Sequence, residues 1–399
     1  MVRKTLSLLT IALLLGFEVG MAQNVGPELQ PDPKEPNTRV GTRGANFLEI
    51  GIGARAEALA GAGATLQPSV FAMYWNPAAI AGLDGFGVGF SYSALYKDLD
   101  INYFYGAGVI PFLGGMLGVN FASLSSGDIT RTTEQFPAGG DPVFGSDFSW
   151  TSTFTGGYYA RPITDRLNAG IGVKFVSEGI EDANARWVAF DAGVTFRTGL
   201  YGIQLGATAQ NIGNEAEFKG PALDRIITNN QQLFPPNGRN IDVNFSTVEH
   251  QLPSLFRFTV GLDIIGTPES LVQTPSQEHG LNLALNLTDA TDTDVQTAVG
   301  LEYNFRQIAF LRAGKKFFNE RQRTGAIGST QDPGLNCVAG TTGRASCFRT
   351  SDFRSFSDGL SFGGGIRLPV LGRSIAFDYA YVDAGELENV QILSFEFGL

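Results

Sequence analysis

The sequence predicts an all-β protein, a 14-stranded antiparallel transmembrane β-barrel with an N-terminal plug segment. Three observations predict it. Apolar and polar residues alternate with period 2 in segment after segment from residue 86 to the C-terminus. Those segments number fourteen, an even count, and most are long enough for a tilted strand to cross a bilayer. The long connections between them fall on one end of the sheet and nearly all the short ones on the other.

The N-terminus reads as an export signal over residues 1–22. Arg3 and Lys4 precede an apolar run from Leu6 to Phe17, and Gly20-Met21-Ala22 supplies the small residues of a cleavage site. The run is too short to span a bilayer. Residues 23–42 read as a flexible arm, with four prolines between Gln23 and Asn37.

Residues 43–85 are the expected plug. The stretch from Gly53 to Ala64 is too rich in small residues to form a core alone. Asn76-Pro77-Ala78 opens a short helix, with Asn as cap, Pro at the first helical position and Gly82 as the stop. A fourteen-stranded barrel is too wide for wall side chains alone to fill, so a compact segment ahead of it is expected in the lumen.

The barrel occupies 86–399. Strands are expected near 86–96, 101–110, 114–124, 149–160, 166–178, 187–197, 202–211, 253–265, 279–288, 294–306, 308–317, 359–368, 373–384 and 390–398. Alternation is cleanest at Phe256 to Ile264, Leu281 to Leu287 and Val295 to Phe305. Pro111-Phe-Leu-Gly-Gly115 marks a tight turn rather than the middle of an apolar helix. The outward loops are 97–100, 125–148, 179–186, 212–252, 289–293, 318–358 and 385–389. The inward turns are 111–113, 161–165, 198–201, Gln307 and 369–372, with 266–278 somewhat longer. The last strand places Leu393, Phe395, Phe397 and Leu399 on one face and must pair with 86–96 to close the sheet.

Composition narrows function. Lys+Arg 28 against Asp+Glu 39 gives a net charge of −11, which argues against nucleic-acid binding. Gly is abundant at 51 of 399 residues, nearly double the usual share. The two histidines, His250 and His279, have no nucleophile motif nearby, so no enzymatic activity is expected. No phosphate-binding loop occurs, and no cofactor is expected. Asp289, Asp292 and Asp294 lack the spacing of a calcium loop and read as a solvated acidic turn, so no metal is expected. Cys337 and Cys347 lie in a long outer loop, where an even count in an exported chain favours a disulfide worth roughly 3 kcal/mol. Lys174, Asp191, Arg257, Asp263, Glu302, Arg312, Arg367, Asp378 and Glu396 fall on the lumen face. Their balanced signs favour a salt-bridged ladder holding the plug; a polar conduit is the alternative.

Gly53-Ala54-Arg55-Ala56, Gly61-Ala62-Gly63-Ala64 and Tyr74-Trp75-Asn76-Pro77-Ala78 resemble the N-terminal signature of the PorV/PorQ family of outer-membrane proteins. That family is similar in turn to the FadL-type fatty-acid channels. Leu167 to Phe175, Phe190-Asp-Ala-Gly193, Ala209-Gln-Asn-Ile-Gly213, Leu311 to Lys315, Phe362 to Leu368, Phe377 to Tyr381 and Gly385-Glu-Leu387 carry the resemblance over about residues 43–399. It implies a plugged barrel of the Gram-negative outer membrane, in contact with its lipid. It further implies an adaptor linked to type IX secretion, holding secretion components or cargo C-terminal domains; loops 212–252 and 318–358 are the expected partner surface, because binding residues concentrate on long loops over a rigid scaffold. The alternative expectation is a FadL-like passive transporter of hydrophobic small molecules, with the plug as gate.

Overall fold

Each strand has one face that must meet lipid and one that must meet the lumen, and the backbone obeys that division from residue 87 onward. The computed structural model describes residues 41–399 except 96–99, 141, 143–144, 146, 229–239, 274–277, 294, 319–334, 340–344, 350–358, 371, 386–388 and 399; side chains of 225–228, 240–243, 318, 335–339 and 345–349 are likewise outside the description. The expected export signal and nearly all of the arm lie outside the described residues.

Fourteen antiparallel strands close into one barrel. They are β1 (Gly87–Leu95), β2 (Ile101–Phe112), β3 (Gly115–Ser125), β4 (Trp150–Pro162), β5 (Leu167–Ile180), β6 (Ala183–Arg197) and β7 (Ile203–Gly213). There follow β8 (Leu255–Ile265), β9 (His279–Ala290), β10 (Gln296–Phe305), β11 (Ala309–Phe318), β12 (Leu360–Val370), β13 (Arg373–Asp383) and β14 (Asn389–Phe397). Each strand pairs with its sequence neighbour, and β14 returns to β1 in the register Val88↔Phe397 to Ala94↔Gln391. Every strand edge is therefore paired, which is the condition for strands in lipid. Outward side chains form an apolar belt that includes Phe90, Phe104, Phe121, Ile171, Phe175, Phe190, Phe258, Leu311, Phe377 and Leu393, all exposed. A closed barrel with such a belt crosses a bilayer. No helix among the described residues is long and apolar enough to do so.

The loop asymmetry holds, with one difference. The expected outer loop 179–186 is only the turn Glu181-Asp182, because β6 starts at Ala183 rather than near 187 and pairs Ile180↔Ala183. Ala183-Asn-Ala carries no large apolar residue, so its alternation is faint. At the opposite end Leu113 and Gly114 join β2 to β3 with φ 46° and 74°. Two successive positive φ values make the mirror-image hairpin turn that matches strand twist, and Pro111 sits at the end of β2, opposite Met116, rather than in the turn.

Residues 44–85 fill the lumen. They enter at the long-loop end, where Gly44 N donates to Gln251 O at 3.0 Å, and reach the short-turn end before β1. The segment holds a short turn at Asn46–Glu49, helices at Ala54–Ala58 and Ala72–Trp75, and a 3-10 helix at Pro77–Gly82 capped by Asn76 Oδ1, which accepts from Ala78 N. None is long enough to be stable alone; burial against the wall holds them.

Inward glycines explain how the plug fits. A Cβ on Gly314 of β11 would lie 2.3 Å from the Leu59 carbonyl carbon, and one on Gly170 of β5 would lie 2.5 Å from Ala78 N. Gly363 of β12 faces Ala58 and Gly193 of β6 faces the Asn76 amide in the same way. The high glycine content is thus partly a cradle for plug backbone. Gly314→Ala is expected to cost roughly 1–3 kcal/mol through overpacking. Gly157→Ala, whose Cβ meets nothing within 4 Å, is the control. Urea denaturation in detergent reads the difference, and coincident midpoints for the two variants would refute the cradle.

Candidate functional site

The lumen is chemically divided, and the plug matches each half. On the β10 to β14 side the inward positions are charged. Arg55, on the helix Ala54–Ala58, grips Glu302 of β10 with both nitrogens, Nη2 to Oε1 at 2.8 Å and Nε to Oε2 at 2.9 Å. Arg312 of β11 donates Nε to the same carboxylate at 2.6 Å and Nη1 to Asp378 Oδ1 of β13 at 2.5 Å. Asp378 has room because its neighbour across the β12–β13 pair is Gly365; a Cβ there would lie 1.9 Å from Asp378 Oδ1. Phe310 provides a common platform, with the guanidiniums of Arg312, Arg367 and Arg55 at 5.0, 5.7 and 5.9 Å from its ring centre. Glu396 of β14 accepts from Val70 N at 2.7 Å and Ser69 Oγ at 3.1 Å, while Ser394 Oγ accepts from Ala54 N at 2.7 Å.

On the β2 to β6 side, aromatic side chains of β2, β4 and β6 point inward. Tyr103 and Tyr105 of β2, Phe154 and Tyr158 of β4 and Trp187 of β6 are each almost wholly buried. Phe47 of the plug sits edge-on to Tyr103 with centroids 6.3 Å apart and 6.1 Å from Phe154. Tyr74 stacks on Phe154 at 6.1 Å and lies edge-on to Tyr105 at the same distance. The Tyr74 hydroxyl is 2.7 Å from the carbonyls of both Leu48 and Ile50, so the phenol ties the entry turn to the helix Ala72–Trp75.

Between the halves lies a polar knot. The β6–β7 register slips so that Gln210 and Asn211 both face Asp191, with Asn211 at φ 59°. This bulge turns two consecutive side chains inward. Asp191 accepts from Asn211 N at 2.9 Å and pairs with Lys174 Nζ at 3.0 Å. Lys174 also donates to Asn211 Oδ1. Arg257 of β8 donates to Gln210 Oε1, Gln210 donates to Tyr74 O, and the Arg257 guanidinium stacks 5.0 Å from the Trp75 ring centre. Asn76 Nδ2 donates to Val194 O at 3.0 Å, fixing Pro77 and Ala78 against the wall.

The remaining space lies on either side of the plug. A cavity of about 200 Å³ faces the long-loop end and is lined by Glu49, Glu57, Trp75, Arg257, Gln296 and Lys316 among others. A second of about 670 Å³ opens at the short-turn end beside Pro68, Gly82, Pro162, Asp165 and Arg197.

The residues singled out from sequence separate accordingly. Arg55, Glu302, Arg312 and Asp378 form one connected ladder, and Glu396 anchors a second part of the plug. Lys174, Asp191 and Arg257 form the knot rather than the ladder. Asp263 belongs to neither; it sits near the short-turn end, 3.5 Å from Thr267 Oγ1. Gly53, Ala54 and Ala56 are buried in the plug. The expected solvated acidic turn is corrected in one residue: Asp292 is 3% exposed. Asp289 is exposed, and Asp294 lies outside the described residues. His279 packs on Tyr303 and Phe305, and His250 backs onto Ala216. Cys337 and Cys347 are register partners in a small hairpin, Leu335–Ala339 with Ala345–Arg349; their side chains, and hence the expected disulfide, lie outside the described residues. The expected partner loops 212–252 and 318–358 lie partly outside the description as well.

No protein-family profile matches the chain, and no curated protein matches it. Among solved structures it is similar to a FadL homologue from Pseudomonas aeruginosa, at 13% identity over 87% of this chain and 98% of that one, with a TM-score of 0.46. It is similar also to the toluene transporter TodX of Pseudomonas putida, at 11% identity over 87% and 96% of the two chains and a TM-score of 0.46. The monoaromatic hydrocarbon channel CymD matches at 10% identity over 87% and 96%, with a TM-score of 0.47.

Proposed function

We propose that the protein is a plug-gated passive channel of the outer membrane for hydrophobic small molecules. The observation that carries this reading is the aromatic half-lumen. An adaptor needs a filled barrel, but it does not need an interior surface of Tyr103, Tyr105 and Phe154 packed against Phe47 of the entry turn and Tyr74 of the helix beyond it. Phe47, buried to 2% exposure, occupies the place that an apolar ligand would take. The turn carrying it has no ion pair among the described residues, whereas Arg55 further along the plug is doubly bonded to the wall. Lifting the turn opens an apolar track while the charged half holds the rest of the plug. The secretion-adaptor reading rests on loops 212–252 and 318–358, which lie partly outside the described residues.

Purified protein in vesicles with a lipopolysaccharide outer leaflet tests the proposal. Uptake of a labelled fatty acid is expected to exceed that of protein-free vesicles several-fold, and Phe47→Ala is expected to raise it further. Uptake equal to protein-free vesicles would overturn the channel. Wild-type uptake unaltered by Phe47→Ala would remove Phe47 as its stopper.

A further inference from the structure

Two acidic side chains meet where the entry turn of the plug touches the wall. Glu49 closes the turn Asn46–Glu49 that carries Phe47, and Asp292 lies in the connection between β9 and β10. Asp292, 3% exposed, acts on Glu49 through both its charge and a side-chain hydrogen bond. Glu49 Oε1 and Asp292 Oδ1 are both buried with no hydrogen-bond donor among the described residues. Two carboxylate oxygens are both acceptors, so one contact is satisfied only if a proton sits between them.

We propose that the Glu49–Asp292 pair is a proton-operated latch that holds the entry turn, and with it Phe47, against the long-loop end of the barrel. This rests on the channel reading for its consequence, but the latch itself is a property of the plug. The protonated pair bridges plug and wall by one hydrogen bond. Loss of the proton leaves two like charges buried face to face, which repel and admit water.

The surroundings set the working range. Burial, then the charge and hydrogen bond of Asp292, push Glu49 up from its ordinary 4.5 to about 7, against the lowering influence of Arg257 on β8 and Lys316 on β11. Glu57 and Tyr74 are the other ionisable plug groups near it; burial raises Glu57, and Lys316 and Arg257 oppose that. The sign follows from linkage. An acid whose value is raised in the closed state binds its proton more tightly there. The closed state is therefore fully favoured below about 4.5 and loses that advantage as pH rises through about 7. Between pH 6 and pH 8.5 this corresponds to a roughly tenfold rise in the open fraction.

The test reads the turn directly. Ala45→Cys is placed in full-length Cys337→Ser, Cys347→Ser protein, because Ala45 caps the entry turn and is buried at 1% exposure. In detergent, its maleimide labelling rate, divided by that of free cysteine at each pH, is expected to rise about tenfold from pH 6 to pH 8.5. Asp292→Asn lets an amide donate to Glu49 at any pH, so labelling is expected to stay slow throughout; Glu49→Gln is expected to do the same. EDTA is expected to leave every rate unchanged. A flat profile in the parent, the same rise in both latch variants, or acceleration by EDTA at pH 6 (a bridging cation instead of a proton) would each overturn the latch. Fatty-acid uptake over the same pH range is the second readout. Labelling that follows the prediction while uptake stays at the protein-free level keeps the latch and removes the channel.

Discussion

Deletion of residues 393–399 is expected to abolish the heat-modifiable, membrane-assembled barrel. The deleted residues 393–397 pair on both sides, with Val88 to Tyr92 of β1 and with Ile375 to Tyr379 of β13. Their loss opens one seam and leaves five residues on each neighbouring strand without a register partner, about every second of them without its ladder hydrogen bonds. In water those groups would be resolvated; in hydrocarbon each unsatisfied group costs several kcal/mol. The same deletion removes two plug anchors, because Ala54 N donates to Ser394 Oγ and Val70 N to Glu396 Oε1. A milder pair of variants separates the two effects. Ser394→Ala with Glu396→Gln keeps all backbone pairing and is expected to give a closed barrel with a looser plug. Mobility of unboiled samples on gels reports closure. A full-strength heat-modifiable band from the truncated chain would refute the assignment of β14 as the closing strand.

The fold was legible because its two strongest constraints are written locally. Lipid on one side of every strand imposes period 2, visible at Leu281 to Leu287 and again at Leu393 to Phe397, and topology imposes long loops at one end. What was not legible was written across distance or with ambiguous letters. β2 reads Tyr103-Phe104-Tyr105, apolar on both faces, so alternation cannot say that the tyrosines rather than Phe104 face inward, and the aromatic half-lumen leaves no mark in the pattern. The bulge at Gln210-Asn211 displaces the pattern by one residue only, and its cause, the Asp191 carboxylate holding the Asn211 amide, sits on another strand. Inward charges could be picked out one by one, but not their division between ladder and knot. Asp292 looked like a loop carboxylate because its partner Glu49 lies far away in sequence and meets it only through closure of the barrel.

Glu302→Ala is expected to detach the plug while leaving the barrel closed. Glu302 is the only member of the ladder that touches both plug and wall among the described residues, bonding Arg55 by two contacts and Arg312 by one. Its side chain is 2% exposed and that of Arg312 is 1% exposed, whereas Arg55 is 21% exposed. Arg312 keeps Asp378, but Arg55 loses both of its hydrogen bonds to Glu302 and is left with the Phe310 ring and the more distant charges of Asp378 and Glu396. Removing one partner of such a pair costs roughly 3–5 kcal/mol, mostly the penalty of the stranded charge. That penalty falls on the plug, since the backbone pairs of β10 with β9 and β11 do not involve the Glu302 side chain. Protease cleavage within residues 43–85 is therefore expected at concentrations that spare the parent, with heat-modifiable mobility unchanged. Asp378→Asn is expected to do much less, because Arg312 retains Glu302. The double variant Arg55→Leu, Glu302→Leu removes both charges and is expected to recover most of the protection, a coupling that additive side-chain losses would not give. Plug cleavage equal to that of the parent in Glu302→Ala would show that the glycine cradle and aromatic contacts hold the plug without the ladder. Loss of the barrel together with the plug would show that the ladder braces the wall instead.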